Sequence, residues 1–252
     1  MPSLRVSLPA LKAFQGQREL DGSMALYDSV TESVVVVHGN SIHISPMKIG
    51  EAINFNNECT LSYVVDGTQT ILCAKCNQAK TLLAVLHSDT KLAFYNVSGA
   101  RGRAAVESDI VYEVPKRAGS FMLHANKANN IKGFYWIAPT TILAITSAKV
   151  ELVQLLPAQR QFRVLKSLNA TPDAWDFSPD TQQLVLLNFK KRTRLRVLKA
   201  DAQGTVVETH RVRLDTPPST ECMLRLFVLH GQRMLALCDP PQSELHLWVL
   251  GA

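Results

Sequence analysis

The feature that most restricts this chain is a short apolar run that returns five times. It reads Val34-Val35-Val36-Val37, Leu82-Leu83-Ala84-Val85-Leu86, Ile142-Leu143-Ala144-Ile145, Leu184-Val185-Leu186-Leu187 and Met234-Leu235-Ala236-Leu237. Each run is aliphatic at both odd and even positions and is bounded by turn residues, which reads as a strand buried on both faces. Measured at Val35, Ala84, Ala144, Leu186 and Ala236, the spacings are 49, 60, 42 and 50 residues. A four-stranded propeller blade takes about 40–45 residues, or about 50 in the kelch type. The expected fold is therefore all-β, a WD-repeat-like β-propeller with about five blades in this chain.

The neighbours of each run repeat as well. About ten residues before it comes another strand pattern, as in Ile71-Leu72-Cys73, Gly133-Phe134-Tyr135-Trp136, Ala174-Trp175-Asp176-Phe177 and Leu224-Arg225-Leu226-Phe227. A third strand follows each run, and a fourth, more polar one closes most units. The blades are expected at 23–65, 69–114, 131–168, 173–214 and 222–249. Ser178-Pro179-Asp180 and Asp239-Pro240-Pro241 supply turn chemistry at the places where the pattern needs a reversal. The fifth unit shows only three strands, and Leu4 to Leu8 is a candidate to supply its fourth. Either that strand closes a ring of five blades, or the ring is larger and this chain is part of it. The long second interval reflects an insertion at 97–130 with exposed loops. Its basic residues Arg101, Arg103, Lys116 and Arg117 form a candidate interaction loop, since specificity in such folds sits in loops.

Composition sets limits on function. Apolar residues make up 46% of the 252 and charged residues 19%, enough to pack a core and too little charge for a disordered chain. The net charge of +6 permits an acidic partner or an anionic membrane surface without demanding either. Arg5, Pro9 and Lys12 interrupt the N-terminal apolar stretch, so no signal peptide is expected. No apolar run approaches the roughly 20 residues that cross a bilayer. The expected location is the cytoplasm, with docking onto membranes from that side. The five cysteines, Cys59, Cys73, Cys76, Cys222 and Cys238, are an odd and scattered set, as expected of reduced structural thiols.

No catalytic, cofactor-binding or metal-binding residue stands out. Cys73 and Cys76 form a lone Cys-x-x-Cys without the second pair that a zinc site needs. On a strand, residues three apart point to opposite faces, so one metal would not reach both. The seven histidines show no paired metal or protease pattern, and His38 and His87 recur at matching strand ends, as turn residues would. No glycine-rich phosphate loop is present, and no nucleophile is paired with a base. The expectation is a non-enzyme with no cofactor and no small-molecule substrate.

One segment is locally anomalous: Lys190-Lys191-Arg192-Thr193-Arg194-Leu195-Arg196. On a strand, Arg192, Arg194 and Arg196 share one face while Leu195 and Val197 take the other. The plain reading is a solvated hairpin with its aliphatic stems packed flat. The sharper reading is a patch that meets an acidic partner or anionic lipid, each basic residue contributing about 1 kcal/mol near an anionic membrane. Nucleic acid is not expected, because stacking aromatics are scarce there and Phe189 is the only one. Trp136, Trp175 and Trp248 all fall in expected blade strands and are read as structural, filling the space between blades.

One stretch goes beyond a generic repeat. Ile131-Lys132-Gly133-Phe134-Tyr135-Trp136, Val150-Glu151-Leu152, Leu155-Leu156-Pro157, Val164-Leu165-Lys166-Ser167 and Trp175 resemble, in order and spacing, the regulator subunit of the Mon–Ccz complex, the Bulli family. Residues 59–97 and 181–249 follow the same family more loosely. The resemblance implies an N-terminal β-propeller followed by a C-terminal helical region, of which this chain corresponds to the propeller part. It implies the third subunit of a guanine nucleotide exchange complex for the late-endosomal Rab GTPase. The chemistry would belong to the longin-domain Mon and Ccz subunits, and this one would support and position them. The processes implied are endosome maturation, autophagy and lysosomal trafficking, on late endosome and lysosome membranes.

Overall fold

The computed structural model describes residues 3–7, 23–28, 31–46, 61–65, 70–87, 91–96, 103–106, 110–113, 130–189 and 194–251. Strands are numbered along the chain from β1 (Ser3–Ser7) to β21 (Glu244–Leu250), and no α-helix occurs among the described residues. The chain divides into two compact units, residues 18–146 with 151–165, and residues 1–17 with 147–150 and 166–252.

The first of these units contains three sheets. One is β2 (Ser23–Asp28), β3 (Ser33–His38), β4 (Ser41–Pro46) and β5 (Leu61–Val65) in hairpin order, with β9 (Arg103–Val106) added parallel to β5. The next is β6 (Ile71–Cys76), β7 (Leu82–His87), β8 (Lys91–Asn96) and β10 (Ile110–Glu113), all antiparallel. The third is β11 (Ile131–Ala138), β12 (Thr141–Thr146), β13 (Lys149–Leu156) and β14 (Gln161–Asn169), of which Lys149, Val150 and residues 166–169 are counted with the other unit.

The recurring aliphatic runs are the second strands of these sheets, and their burial explains their composition. A strand alternates its side chains between two faces. On β7, Leu82, Ala84 and Leu86 enter one apolar cluster with Phe94, Phe134, Trp136 and Ile142. Leu83 and Val85 enter another with Val35, Val37, Ile42 and Ile44. A strand between two cores cannot alternate apolar with polar, hence the unbroken run. Phe94 and Trp136 meet edge-to-face with ring centroids 5.9 Å apart, a favourable aromatic geometry. The outermost strand β14 is mostly exposed, which is why Gln161–Asn169 reads as polar.

Polar groups stitch β6 to the third sheet. The Trp136 indole N–H donates to the Lys75 carbonyl at 3.0 Å, and the Lys75 ammonium lies 4.4 Å from the Tyr135 ring centre. Asn77 is fully buried. Its amide oxygen accepts from the Thr81 and Leu82 N–H groups at 2.8 and 3.1 Å. Its amide nitrogen donates to the Pro139 carbonyl at 2.8 Å and to the Thr81 hydroxyl at 3.0 Å. One side chain thus closes its own turn and ties it to the next sheet.

The other unit holds two sheets. One is β15 (Ala174–Ser178), β16 (Gln183–Leu187), β17 (Arg194–Ala200) and β18 (Val206–Arg213). The other has the order β1-β21-β20-β19, with β19 (Met223–Leu229) and β20 (Gln232–Asp239). The N-terminal strand completes this sheet, running from Ser3 opposite Trp248 to Ser7 opposite Glu244. Val185, Leu187, Leu195, Val197, Leu224, Leu235 and Trp248 share the core of the unit. Asp176 on β15 accepts from the Leu226 N–H at 2.7 Å and from Arg225 at 3.3 Å, joining β15 to β19 of the other sheet. Burial is the largest influence on Asp176 and raises its pKa, against the pull of the Leu226 N–H and Arg225. The β19–β20 hairpin turns on His230 (φ 49°) and Gly231 (φ 76°), the pair of positive angles that a two-residue type I′ turn requires.

The span 97–130, expected as loops around an outer strand, contains a second strand as well. Arg103 is the first residue of β9 and stands opposite Ser62, so this member of the proposed interaction loop lies on a sheet edge. The physical reason is backbone demand: β5 would otherwise leave a row of N–H and C=O groups open, and a short stretch of Ala and Val satisfies them.

Candidate functional site

The basic strand β17 sits inside its sheet, between β16 and β18. Leu195 and Val197 point into the core. Arg194 and Arg196 lie on the opposite face, the parity that the sequence pattern requires. Register brings a third arginine beside them, because Arg196 stands opposite Arg211 of β18. Glu208, three residues before Arg211, faces both. Its carboxylate accepts from Arg196 Nε at 2.6 Å and from Arg211 Nε at 2.8 Å and Nη2 at 2.5 Å. Burial pushes the Glu208 carboxyl up, but the hydrogen bonds from Arg196 and Arg211 outweigh it and hold the group below the usual glutamate range.

These arginines border a cavity of about 410 Å³ within the same unit. Leu186, 4% exposed and opposite Arg196, gives it an apolar floor. Asn188 closes a wall by donating its amide to the carbonyl and hydroxyl oxygens of Thr171. Arg194 is exposed and has no hydrogen bond or ion pair among the described residues. Neither Glu208 nor Arg211 stood out in the sequence. The signal was there only in the pairing of two strands, since a Glu and an Arg three apart on a polar edge strand are unremarkable until β17 is laid beside them.

The remaining basic candidates, Lys190, Lys191, Arg192, Arg101, Lys116 and Arg117, lie outside the described residues. Of the tryptophans, Trp136 and Trp248 are buried and Trp175 is half-buried opposite Leu186. His87 is buried at the end of β7 and its Nε2 lies 3.4 Å from the Tyr95 hydroxyl, whereas His38 is exposed. Cys73 packs against one core cluster and Cys76 sits in another, on opposite faces of β6. Burial pushes the Cys76 thiol up to about 12 and the Cys222 thiol up to about 11. Among the described residues no three His, Cys, Asp or Glu side chains are grouped to hold a metal, and no helix is long and apolar enough to cross a membrane.

A second surface feature is apolar. On β19, the terminal strand of its sheet, Met223, Phe227, Val228 and Leu229 are 36–50% exposed. Three of these are consecutive and lead into the His230-Gly231 turn, so the hairpin presents an apolar tip. Contiguous exposed apolar side chains of this kind mark contact surfaces more often than isolated ones do.

Comparison with known proteins agrees with this architecture. The family described as regulator of MON1-CCZ1 complex, N-terminal, matches residues 25–162. No curated protein matches the sequence. Among solved structures, Raptor of Chaetomium thermophilum is similar over 92% of this chain and 20% of its own, at 12% identity and a TM-score of 0.58. The β-propeller domain of Cps50 (Swd1) from Myceliophteria thermophila is similar over 87% of this chain and 67% of its own, at 8% identity and a TM-score of 0.54. The C-terminal WD40 domain of Sif2 is similar over 87% and 55%, at 11% identity and a TM-score of 0.57. The chain thus spans a fifth of the Raptor chain and 55% of the Sif2 one. At these identities the likeness concerns the fold, which is all-β and of the WD40 β-propeller kind.

Proposed function

We propose that this chain, which belongs to the regulator of MON1-CCZ1 complex family through its N-terminal region, is a non-catalytic propeller scaffold that holds the MON1 and CCZ1 subunits. The observation that carries the reading is the family match over residues 25–162, more than half of the chain. In this reading the longin-domain subunits perform nucleotide exchange on the late-endosomal Rab GTPase, and the propeller supports and positions them. The complex then acts on late endosome and lysosome membranes, in endosome maturation and autophagy. The exposed tip of β19 suits the role, since a hydrophobic anchor such as Phe227 is the kind of residue that dominates protein contacts. The test is release of labelled GDP from the Rab, with this chain, the MON1–CCZ1 pair, or both. The chain alone leaves the rate at its intrinsic value, and the pair raises it. Acceleration by the chain alone would overturn the scaffold reading.

A further inference from the structure

We infer that the pocket bordered by Arg194, Arg196 and Arg211 is a phosphate-monoester site that receives the phosphorylated headgroup of an anionic lipid. Three observations support it, none of which depends on the scaffold role. The first is shape and lining. A cavity of about 410 Å³ with an apolar floor and a few convergent polar groups has the usual character of a ligand site. The buried Leu186 lowers the local dielectric and strengthens any charged contact above it.

The second is charge. Three guanidinium groups border the pocket, and two of them, Arg196 and Arg211, share the one carboxylate of Glu208, a surplus of two positive charges. A phosphate monoester carries about −1.5 to −2 at neutral pH, which matches that surplus. Glu208 also organises the site. It engages Arg196 through Nε and Arg211 through Nε and Nη2, leaving both Nη groups of Arg196 and Nη1 of Arg211 uncommitted, while Arg194 is wholly uncommitted among the described residues. The fork of a guanidinium matches two oxygens of a phosphate, and holding the arginines in place beforehand reduces the entropy lost on binding.

The third observation decides the source of the phosphate. Lys190, Lys191 and Arg192 precede the site directly in the sequence. A soluble phosphate is satisfied by the pocket alone and makes no use of that run. A membrane surface uses both, because each basic residue near anionic lipid contributes about 1 kcal/mol and the pocket adds headgroup selectivity.

The test is co-sedimentation of the full chain with phosphatidylcholine vesicles. One set contains a phosphatidylinositol monophosphate, and another contains phosphatidylserine at matched surface charge. The expected result is roughly tenfold tighter binding to the phosphoinositide vesicles, a difference of one charge-assisted bidentate contact. Soluble inositol bisphosphate competes for that excess. The double variant Arg194→Ala/Arg211→Ala removes the preference, so that it binds the two vesicle types equally, each more weakly than the parent chain does. Lys190→Ala/Lys191→Ala weakens both vesicle types alike. Arg194→Lys, which breaks no ion pair among the described residues, keeps the fold and the charge and loses most of the preference. Equal binding to the two vesicle types overturns the proposal. So does a preference that survives loss of Arg194 and Arg211, or a headgroup that binds in solution without any gain on vesicles.

Discussion

Replacing Asn77 with Ala tests whether the sheets of the 18–146 unit are held by specific polar ties as well as by apolar packing. The amide serves four partners from a fully buried position. Alanine leaves the Leu82 N–H without its acceptor inside the protein, at about 1–3 kcal/mol for a buried orphan. The Pro139 carbonyl and Thr81 groups lie nearer solvent and recover part of their loss from water, adding about 1 kcal/mol. The expected cost is about 3 kcal/mol, which for a chain of this size lowers the melting temperature by about 6–12 °C. Urea denaturation followed by tryptophan fluorescence measures it, with Trp136 reporting beside the lost contact. Gln242→Ala is the control. It also removes an amide bonded to a proline-residue carbonyl, but at an exposed site, and costs under about 0.5 kcal/mol. A loss below about 1 kcal/mol for Asn77→Ala would mean that water reaches the Leu82 N–H and replaces the side chain, and that these sheets are held by apolar packing without the polar tie.

Three further outcomes follow from the geometry. The lowered pKa of Glu208 means its contribution to stability is present above the unfolded glutamate pKa and is lost as pH falls through the folded one. Glu208→Gln is therefore less stable than the parent at neutral pH, and thermal melts of the two converge in acid. Cys76 and Cys222, with thiols pushed up to about 12 and about 11, resist alkylation at neutral pH in the native state and react in denaturant, as mass spectrometry of the labelled chain will read. Phe227→Glu places a charge on the exposed tip of β19 without touching the core, so it leaves the melting temperature within about 2 °C while weakening retention on immobilised MON1–CCZ1 pair.

The fold was legible because its signal repeats. A strand between two cores must be apolar at every position, and five such runs at blade spacing leave few alternatives to a propeller. What was not legible was pairing outside the repeat. Arg103-Ala-Ala-Val106 carries no pattern of its own and becomes a strand because β5 offers it an edge. The basic face of β17 could be read by parity, with Leu195 and Val197 buried and Arg194 and Arg196 opposite. Its meaning could not, since a strand read alone does not reveal its neighbour. Glu208 and Arg211 turn the two arginines of that face into a pocket with a fixed charge surplus, and they lie twelve or more residues away from Arg196 in sequence. Asn77 was missed for a related reason: a polar residue in a turn looks exposed until the Pro139 carbonyl is seen to approach it.

The measurement that bears most directly on the proposed scaffold role is size-exclusion chromatography with light scattering, on this chain alone and mixed with the purified MON1–CCZ1 pair. A scaffold that holds both subunits gives a single earlier peak containing all three polypeptides in equal amounts. Separate elution of a folded monomer and an intact pair would contradict it, because a scaffold that does not hold its partners has no role of the kind proposed.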